Sequence, residues 1–245
     1  MKKTLICILL GMALLLSACG MQKTSEPEVA ADENTAAAVE ESAPAAEEES
    51  APAEEEESAP AEEEEETEIQ FGVIDGATYT SETLGYSCTL EGWTYATREE
   101  IAAMNNTTLE AVGDDLREQL EKANTFMDMF ARSSDNLLNV NINFENLSGL
   151  YGAILSEEQY VNISYPQMQG ALEQIGMSNV QVEKATVAVG GVEHPGLTVR
   201  GESNGVAVFQ RMACIKCSGY MGVITVTSIM ENHTEEVFDL FSQLQ

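Results

Sequence analysis

Leu138-Asn-Val-Asn-Ile-Asn-Phe-Glu145 decides the architecture: Leu138, Val140, Ile142 and Phe144 alternate strictly with Asn139, Asn141, Asn143 and Glu145. A period of two places the four apolar side chains on one face of a strand and the amides on the other. The segment predicts a half-buried strand with a polar ladder. Asparagine is depleted in strands, so Asn139, Asn141 and Asn143 form a candidate groove for a ligand or partner. A solvated face, or polar contacts to a covering helix, is the plainer reading. Thr225, Thr227, Arg200 and Arg211 lie on later predicted strands and would join the ladder only if the sheet order allows.

Working outward toward the C-terminus, Ser156-x-x-Gln159 has the spacing of a capping box. It predicts a helix reaching Ile175, kinked or split at Pro166. Residues 180–189 read as a strand whose alternation shifts near Lys184-Ala185, which suggests a bulge. Gly190-Gly191 turns the chain, and residues 197–203, 206–217 and 220–230 follow as three strands with tight turns at Asn204-Gly205 and Ser218-Gly219. The stretch 223–230 is apolar on both faces and is expected at the sheet centre, covered on both sides. Asn232, three residues before Glu235, predicts a closing helix with Val237, Leu240, Phe241 and Leu244 as its stripe.

Toward the N-terminus, Leu109, Val112, Leu116, Leu120, Ala123, Met127 and Phe130 recur at steps of three or four, which predicts a helix ending near Ala131. Met127 and Met129 would point in different directions on that helix, so they read as core rather than copper ligands. Thr97-x-x-Glu100 and Thr107-x-x-Glu110 each look like a capping box. Residues 77–80 and 86–90 read as a hairpin around Leu84-Gly85, and Trp93 as a core anchor at a strand end. Two strands, helices, one strand, a helix, four mostly antiparallel strands and a last helix predict an α+β fold, an antiparallel sheet flanked by helices.

The 245-residue chain carries a formal charge of -31. Residues 20–70 hold 19 acids and one base, and residues 71–245 hold 23 acids and 8 bases. An acidic balance in both parts excludes nucleic acid, whose phosphates call for Lys and Arg. It equally disfavours lying flat on an anionic lipid surface. Between them, residues 41–48, 49–56 and 57–64 repeat Glu-Ser-Ala-Pro-Ala with a period of eight. Prolines Pro27, Pro44, Pro52 and Pro60 break helix before it propagates, and there is almost no apolar surface to offset ordering entropy. Residues 19–68 are therefore expected to be a disordered acidic linker, spanning roughly 40 Å as a neutral coil and about 170 Å extended. Any divalent cations held there would be loosely bound, because no cage of oxygens is specified.

Residues 1–18 carry Lys2-Lys3, an apolar run from Leu5 to Leu16, and small residues before Cys19, the layout of a secretory signal. About a dozen apolar residues fall short of the ~20 that a spanning helix needs. Leu16-Ser-Ala-Cys19 resembles a bacterial lipoprotein lipobox. That resemblance implies cleavage before Cys19, its lipidation (a diacylglycerol thioether with a fatty acyl chain such as palmitate), and residence on the cell membrane facing outward. The globular part, residues 69–245, resembles the PsbP-like α/β/α sandwiches, and more closely uncharacterised lipoproteins of clostridial type. The residues that carry this are Leu84-Gly-Tyr-Ser-Cys-Thr-Leu-Glu-Gly-Trp93, Asn139-Val-Asn-Ile-Asn-Phe-Glu-Asn146, Ser156-Glu-Glu-Gln-Tyr160 and Tyr220-Met-Gly-Val-Ile-Thr-Val-Thr227. The resemblance implies an accessory or binding protein of the envelope rather than an enzyme.

Three cysteines follow Cys19: Cys88, Cys214 and Cys217. Cys214-Ile-Lys-Cys217 has the CxxC spacing of thiol-redox and zinc sites, but thioredoxin-like sites place it at a helix N-terminus. On a strand, residues three apart face opposite ways at roughly 10 Å, beyond the ~7 Å that a disulfide tolerates. A Cys88–Cys214 or Cys88–Cys217 bridge stays open at this stage, as does a set of packed free thiols. His194 and His233 are the only histidines and lack zinc-ligand spacing. No nucleophile elbow, phosphate loop or dinucleotide fingerprint occurs. No catalytic residue, metal or cofactor is expected. The leading expectation is a lipid-anchored envelope binding or accessory module, with a thiol-redox enzyme or a purely structural display protein as alternatives.

Overall fold

The computed structural model describes residues 69–104, 125–147, 154–217 and 219–245. The expected signal segment, Cys19, the acidic linker and the capping box at Thr107 lie outside these residues. Eleven strands and three helices follow one another among the described residues. They are β1 (Val73–Asp75), β2 (Thr78–Ser81), β3 (Tyr86–Thr89), β4 (Thr94–Tyr95), α1 (Arg98–Met104), β5 (Thr125–Arg132), β6 (Leu138–Asn146), α2 (Glu157–Gln174), β7 (Met177–Val189), β8 (Val192–Ser203), β9 (Val206–Cys217), β10 (Tyr220–Ile229), α3 (Thr234–Phe238) and β11 (Phe241–Gln243).

They build two antiparallel sheets, a four-stranded one ordered β1-β2-β3-β11 and a seven-stranded one ordered β4-β5-β6-β10-β9-β8-β7. The fold is therefore β-rich. This corrects the expectation of an α+β, PsbP-like α/β/α sandwich flanked by helices: the described end of the helix expected over 109–131 is strand, its residues 109–124 lying outside the described ones, and the closing helix is short and gives way to another strand. Residues 125–131 of the expected long helix form β5, pairing with β6 from Thr125↔Glu145 to Arg132↔Asn139. The helical period is misleading there: Phe126, Met127, Met129, Phe130 and Ala131 are all buried, so both faces are apolar and no period is diagnostic. Met127 and Met129 are core residues, on opposite faces of this strand. The expected closing helix stops after Phe238, and Phe241 enters β11, which pairs with β3. Leu240 of its supposed stripe is exposed.

The apolar face of β6 meets the small sheet. Val140, Ile142 and Phe144 pack with Tyr79, Leu84, Tyr86, Cys88 and Leu90, and Val237, Phe238 and Phe241 close the edge. Phe126 stacks on Phe144 with ring centroids 5.5 Å apart. On the opposite face of the large sheet, α2 lays Tyr160, Val161, Met168 and Leu172 on Leu197, Val199, Val208, Met212, Cys214 and Met221. Among the described residues the layers run small sheet, large sheet, α2.

The local signals for the remaining elements hold. Both halves of the Ser156–Gln159 capping box are made, and α2 runs through Pro166 as one helix. Thr97 and Glu100 exchange the same pair of bonds at α1. β10 is central and buried on both faces. The bulge in β7 sits between Ser178 and Gln181 rather than at Lys184, with Asn179 taking φ 53.

Candidate functional site

The register decides what joins the asparagine ladder. Thr225 lies opposite Asn141, and Thr227 lies opposite Asn139. On the far side of β10, Thr227 faces Gln210, and on the far side of β6, Arg132 faces Asn139. Directly opposed residues of an antiparallel pair have Cβ atoms about 5 Å apart, so these side chains form one continuous polar field. Arg200 and Arg211 do not belong to it. Arg211 is paired with Val226 and reaches Glu235 at 3.3 Å on the small-sheet side, and Arg200 lies over the Phe209 ring.

This face of the large sheet divides in two. Its β7–β8–β9 half is apolar and packs under α2. Its β5–β6–β10 half carries the ladder, extended by Gln210 from β9. Glu145, at one end, accepts the Tyr160 hydroxyl of α2 at 2.5 Å. Burial raises the Glu145 carboxyl above its usual range, and that bond offsets part of the rise. Arg132 is exposed at the other end.

Asn141 and Asn139 are buried, at 1% and 6% exposure, and Asn143 is half-buried, yet their hydrogen bonding is incomplete. Asn143 Nδ2 donates to Asn141 Oδ1 at 2.5 Å, and Gln210 Nε2 donates to Thr227 Oγ1 at 3.2 Å. Asn139 Oδ1, Asn141 Nδ2, Gln210 Oε1 and Thr125 Oγ1 have no partner. A buried polar atom left unpaired costs about 1–3 kcal/mol, and natural structures contain few of them. Four on one face mark it as a place where stability has been given up. The sequence points to Asn139, Asn141 and Asn143 by their improbability in a strand. Gln210 and Thr125 are missed, because only the sheet order brings them alongside.

The cysteines are not brought together. Cys214 packs in the α2 layer and Cys217 in the small-sheet layer with Cys88, so the CxxC spacing crosses the sheet. All three are free thiols and buried. Burial pushes Cys88 and Cys217 up to about 12 and raises Cys214 further. Reactive cysteines need the opposite setting, partly exposed and electropositive.

A second polar group lies where β8 leaves β9. Their pairing ends at Gly196↔Ala213, and Pro195 has no N–H to continue it. Glu157, in the first turn of α2, fills the opening. Its carboxylate accepts the Lys216 backbone N–H at 2.8 Å and lies 3.2 Å from His194 Nδ1. His194 Nε2 lies 2.9 Å from the Tyr86 hydroxyl. Burial works to raise the Glu157 carboxyl, but the His194 and Lys216 bonds outweigh it and hold the acid below its usual range. Each member has a partner within the fold, so the chain reads as a structural tie between α2 and both sheets. No group of three His, Cys, Asp or Glu residues able to hold a metal ion occurs among the described residues. Among those residues no helix is long and apolar enough to cross a membrane.

No family model matches the chain, and no curated protein does. Among solved structures, the chain is similar to LpqN, described as involved in cell envelope biogenesis of Mycobacterium tuberculosis. The identity is 11% and the TM-score 0.31, over 50% of this chain and 79% of that one. At that TM-score the overlap does not establish a common fold.

Proposed function

We propose that this chain is a binding or accessory module of the cell envelope, anchored by lipid on Cys19, held outside the membrane on its acidic stalk, and without a catalytic role. The observation that carries the binding role is the half-face of buried, unpartnered polar atoms on β5, β6, β10 and β9. A fold that needed only stability would place apolar residues there, as it does on the adjoining half under α2. The thiols, buried and with raised pKa values, offer little thiolate for redox chemistry.

The binding reading is tested by Asn141→Leu. If the ladder is kept for function, removing the unpaired Asn141 Nδ2 gains more than the lost bond to half-buried Asn143 costs, and the stability of the free protein rises by about 1 kcal/mol. The readout is the urea unfolding midpoint at constant slope. A fall in the midpoint would make the ladder an ordinary structural network and overturn the reading.

The anchor is tested separately by Cys19→Ala. Two or more acyl chains hold a protein stably on a bilayer, whereas one holds it only marginally. The substituted chain is expected as uncleaved precursor or in the soluble fraction after cell fractionation. Mature protein still on the membrane would rule the lipid anchor out.

A further inference from the structure

Met230 takes a backbone conformation that its side chain does not favour. Among the described residues, Asn136, Asn179, Asn204 and Met230 are the non-glycine residues with positive φ. Asparagine enters the left-handed region with help from its short polar side chain, and methionine has no such help. Met230 nevertheless takes φ 74, and it is 62% exposed, so burial returns little for the strain. The fold holds it in place. Its N–H donates to the Ala207 carbonyl at 2.9 Å. The Ser228 hydroxyl donates to the Glu231 carbonyl and accepts the His233 N–H. Strain of this kind persists only where the surroundings impose it, and it gathers at binding clamps and switches.

Three strand ends meet around Met230. Ile229, just before it, donates its N–H to the Leu137 carbonyl at 2.9 Å, at the start of β6. Val206 opens β9 beside Ala207. Leu137 and Val206 are exposed, and Ile229 is half-buried. Single exposed apolar residues are ordinary, but these form one strip across β6, β10 and β9. We infer that this strip is a docking surface for a segment of another protein that presents apolar side chains ringed by Lys or Arg. The inference goes beyond the half-face reading and uses none of its atoms.

Charge selects that partner. Glu231 follows Met230, Asp135 precedes Leu137 by two residues, and Glu202 lies opposite Ala207. Glu236 stands behind His233, 3.0 Å from its Nδ1. Arg132 and Arg200 are the bases of this end, so acids prevail, in a chain of formal charge -31. A second copy would set acid against acid, and an anionic lipid surface would be repelled likewise. A basic rim is complementary: opposite charges steer the partners together while the apolar centre holds them. Methionine suits such a centre because its unbranched side chain adapts to different surfaces.

The experiment is isothermal titration of the full chain in detergent, with the detergent blank subtracted. The probe is the synthetic peptide Lys-Lys-Leu-Leu-Lys-Lys. Lys-Lys-Ser-Ser-Lys-Lys, which measures attraction to the acidic stalk alone, and Glu-Glu-Leu-Leu-Glu-Glu are titrated in parallel. The expected result is saturable binding of the first peptide and roughly tenfold weaker binding of the other two. Met230→Gly is expected to weaken the first peptide by about tenfold. Glycine is free of strain at positive φ, so this variant is expected to keep or raise the urea midpoint, which separates lost contact from lost folding. Leu137→Ser is the independent second variant, with the same loss expected. Equal binding of the leucine and serine lysine-peptides, or an unchanged affinity in Met230→Gly, overturns the docking surface. A lower midpoint in Met230→Gly makes the methionine a structural residue and overturns it too. Light scattering of the parent is expected to give a monomer; a dimer that Met230→Gly dissociates would assign the strip to a second copy instead. None of these outcomes bears on the Asn141→Leu test above.

Discussion

Asp128→Ala is expected to destabilise the protein by about 3 kcal/mol, because it orphans two buried donors at once. Asp128 occupies the bulge between Met127 and Met129 in β5 and is 1% exposed. The Tyr79 hydroxyl donates to Oδ2 at 2.5 Å, and the Gly72 N–H donates to Oδ1 and Oδ2 at 3.1 and 3.0 Å. Arg98 Nη1 approaches Oδ1 at 3.4 Å, and the same guanidinium donates to the Gly72 carbonyl and lies over the Phe71 ring. The Arg98 side chain is 41% exposed, so water answers most of its loss and the cost rests on Tyr79 and Gly72. Together these contacts fasten the strap of residues 70–72 to both sheets.

The pH dependence of this clamp runs against the usual carboxylate pattern. Burial raises the Asp128 carboxyl above its ordinary range; the Tyr79 and Gly72 bonds, then Arg98, offset part of that. A folded pKa above the unfolded one contributes stability that is fully present below the ordinary carboxylate range and is lost as pH rises through the folded value. Asp128→Asn, which stays neutral, should flatten that part of the profile. Urea midpoints measured from acid to neutral pH check both variants; an Asp128→Ala midpoint within about 0.5 kcal/mol of the parent would refute the clamp.

Gly196→Ala is expected to cost about 3 kcal/mol, the upper range for forcing atoms into a packed interior. Gly196 lies between Ala185 of β7 and Ala213 of β9. A Cβ there would stand 1.9 Å from the Met212 carbonyl oxygen and 3.0 Å from Val187 Cγ2. The first of these is backbone inside the sheet and has no rotamer to escape through. Gly170, in an exposed part of α2, meets nothing within 4 Å, so Gly170→Ala is expected to add up to about 1 kcal/mol of helix propensity. Thermal unfolding of the two variants in parallel separates the close approach from any general intolerance of alanine. A Gly196→Ala protein as stable as the parent would mean that β8 and β9 separate more readily than their register implies. The residue also marks where the ladder opens to admit Glu157, so its loss should weaken the α2 tie.

The comparison of β5 with α2 shows which sequence signals can be read. α2 is legible because Ser156 and Gln159 cap its start through their own side chains, a contact between residues three apart. β5 is not, because a strand buried on both faces leaves no alternation to read. The C-terminus misleads in another way: Phe241 is buried in a strand paired beside β3 rather than along a helix stripe. Turn chemistry was readable at Gly190-Gly191 and Asn204-Gly205, whose φ values are positive.

For the candidate site, the sequence by itself determined that Asn139, Asn141 and Asn143 share one face, since a strand's period of two depends on the backbone alone. It also determined that Cys214 and Cys217 part across the sheet. Only the tertiary structure decided that Thr225, Thr227 and Gln210 stand beside the asparagines while Arg200 and Arg211 do not, because the strand order depends on β6 pairing with β10, between residues 74 to 90 apart in the chain. It alone decided that Asn139 and Asn141 are buried with Asn139 Oδ1 and Asn141 Nδ2 unpartnered: burial and pairing are properties of what packs opposite a residue, and no local pattern encodes them.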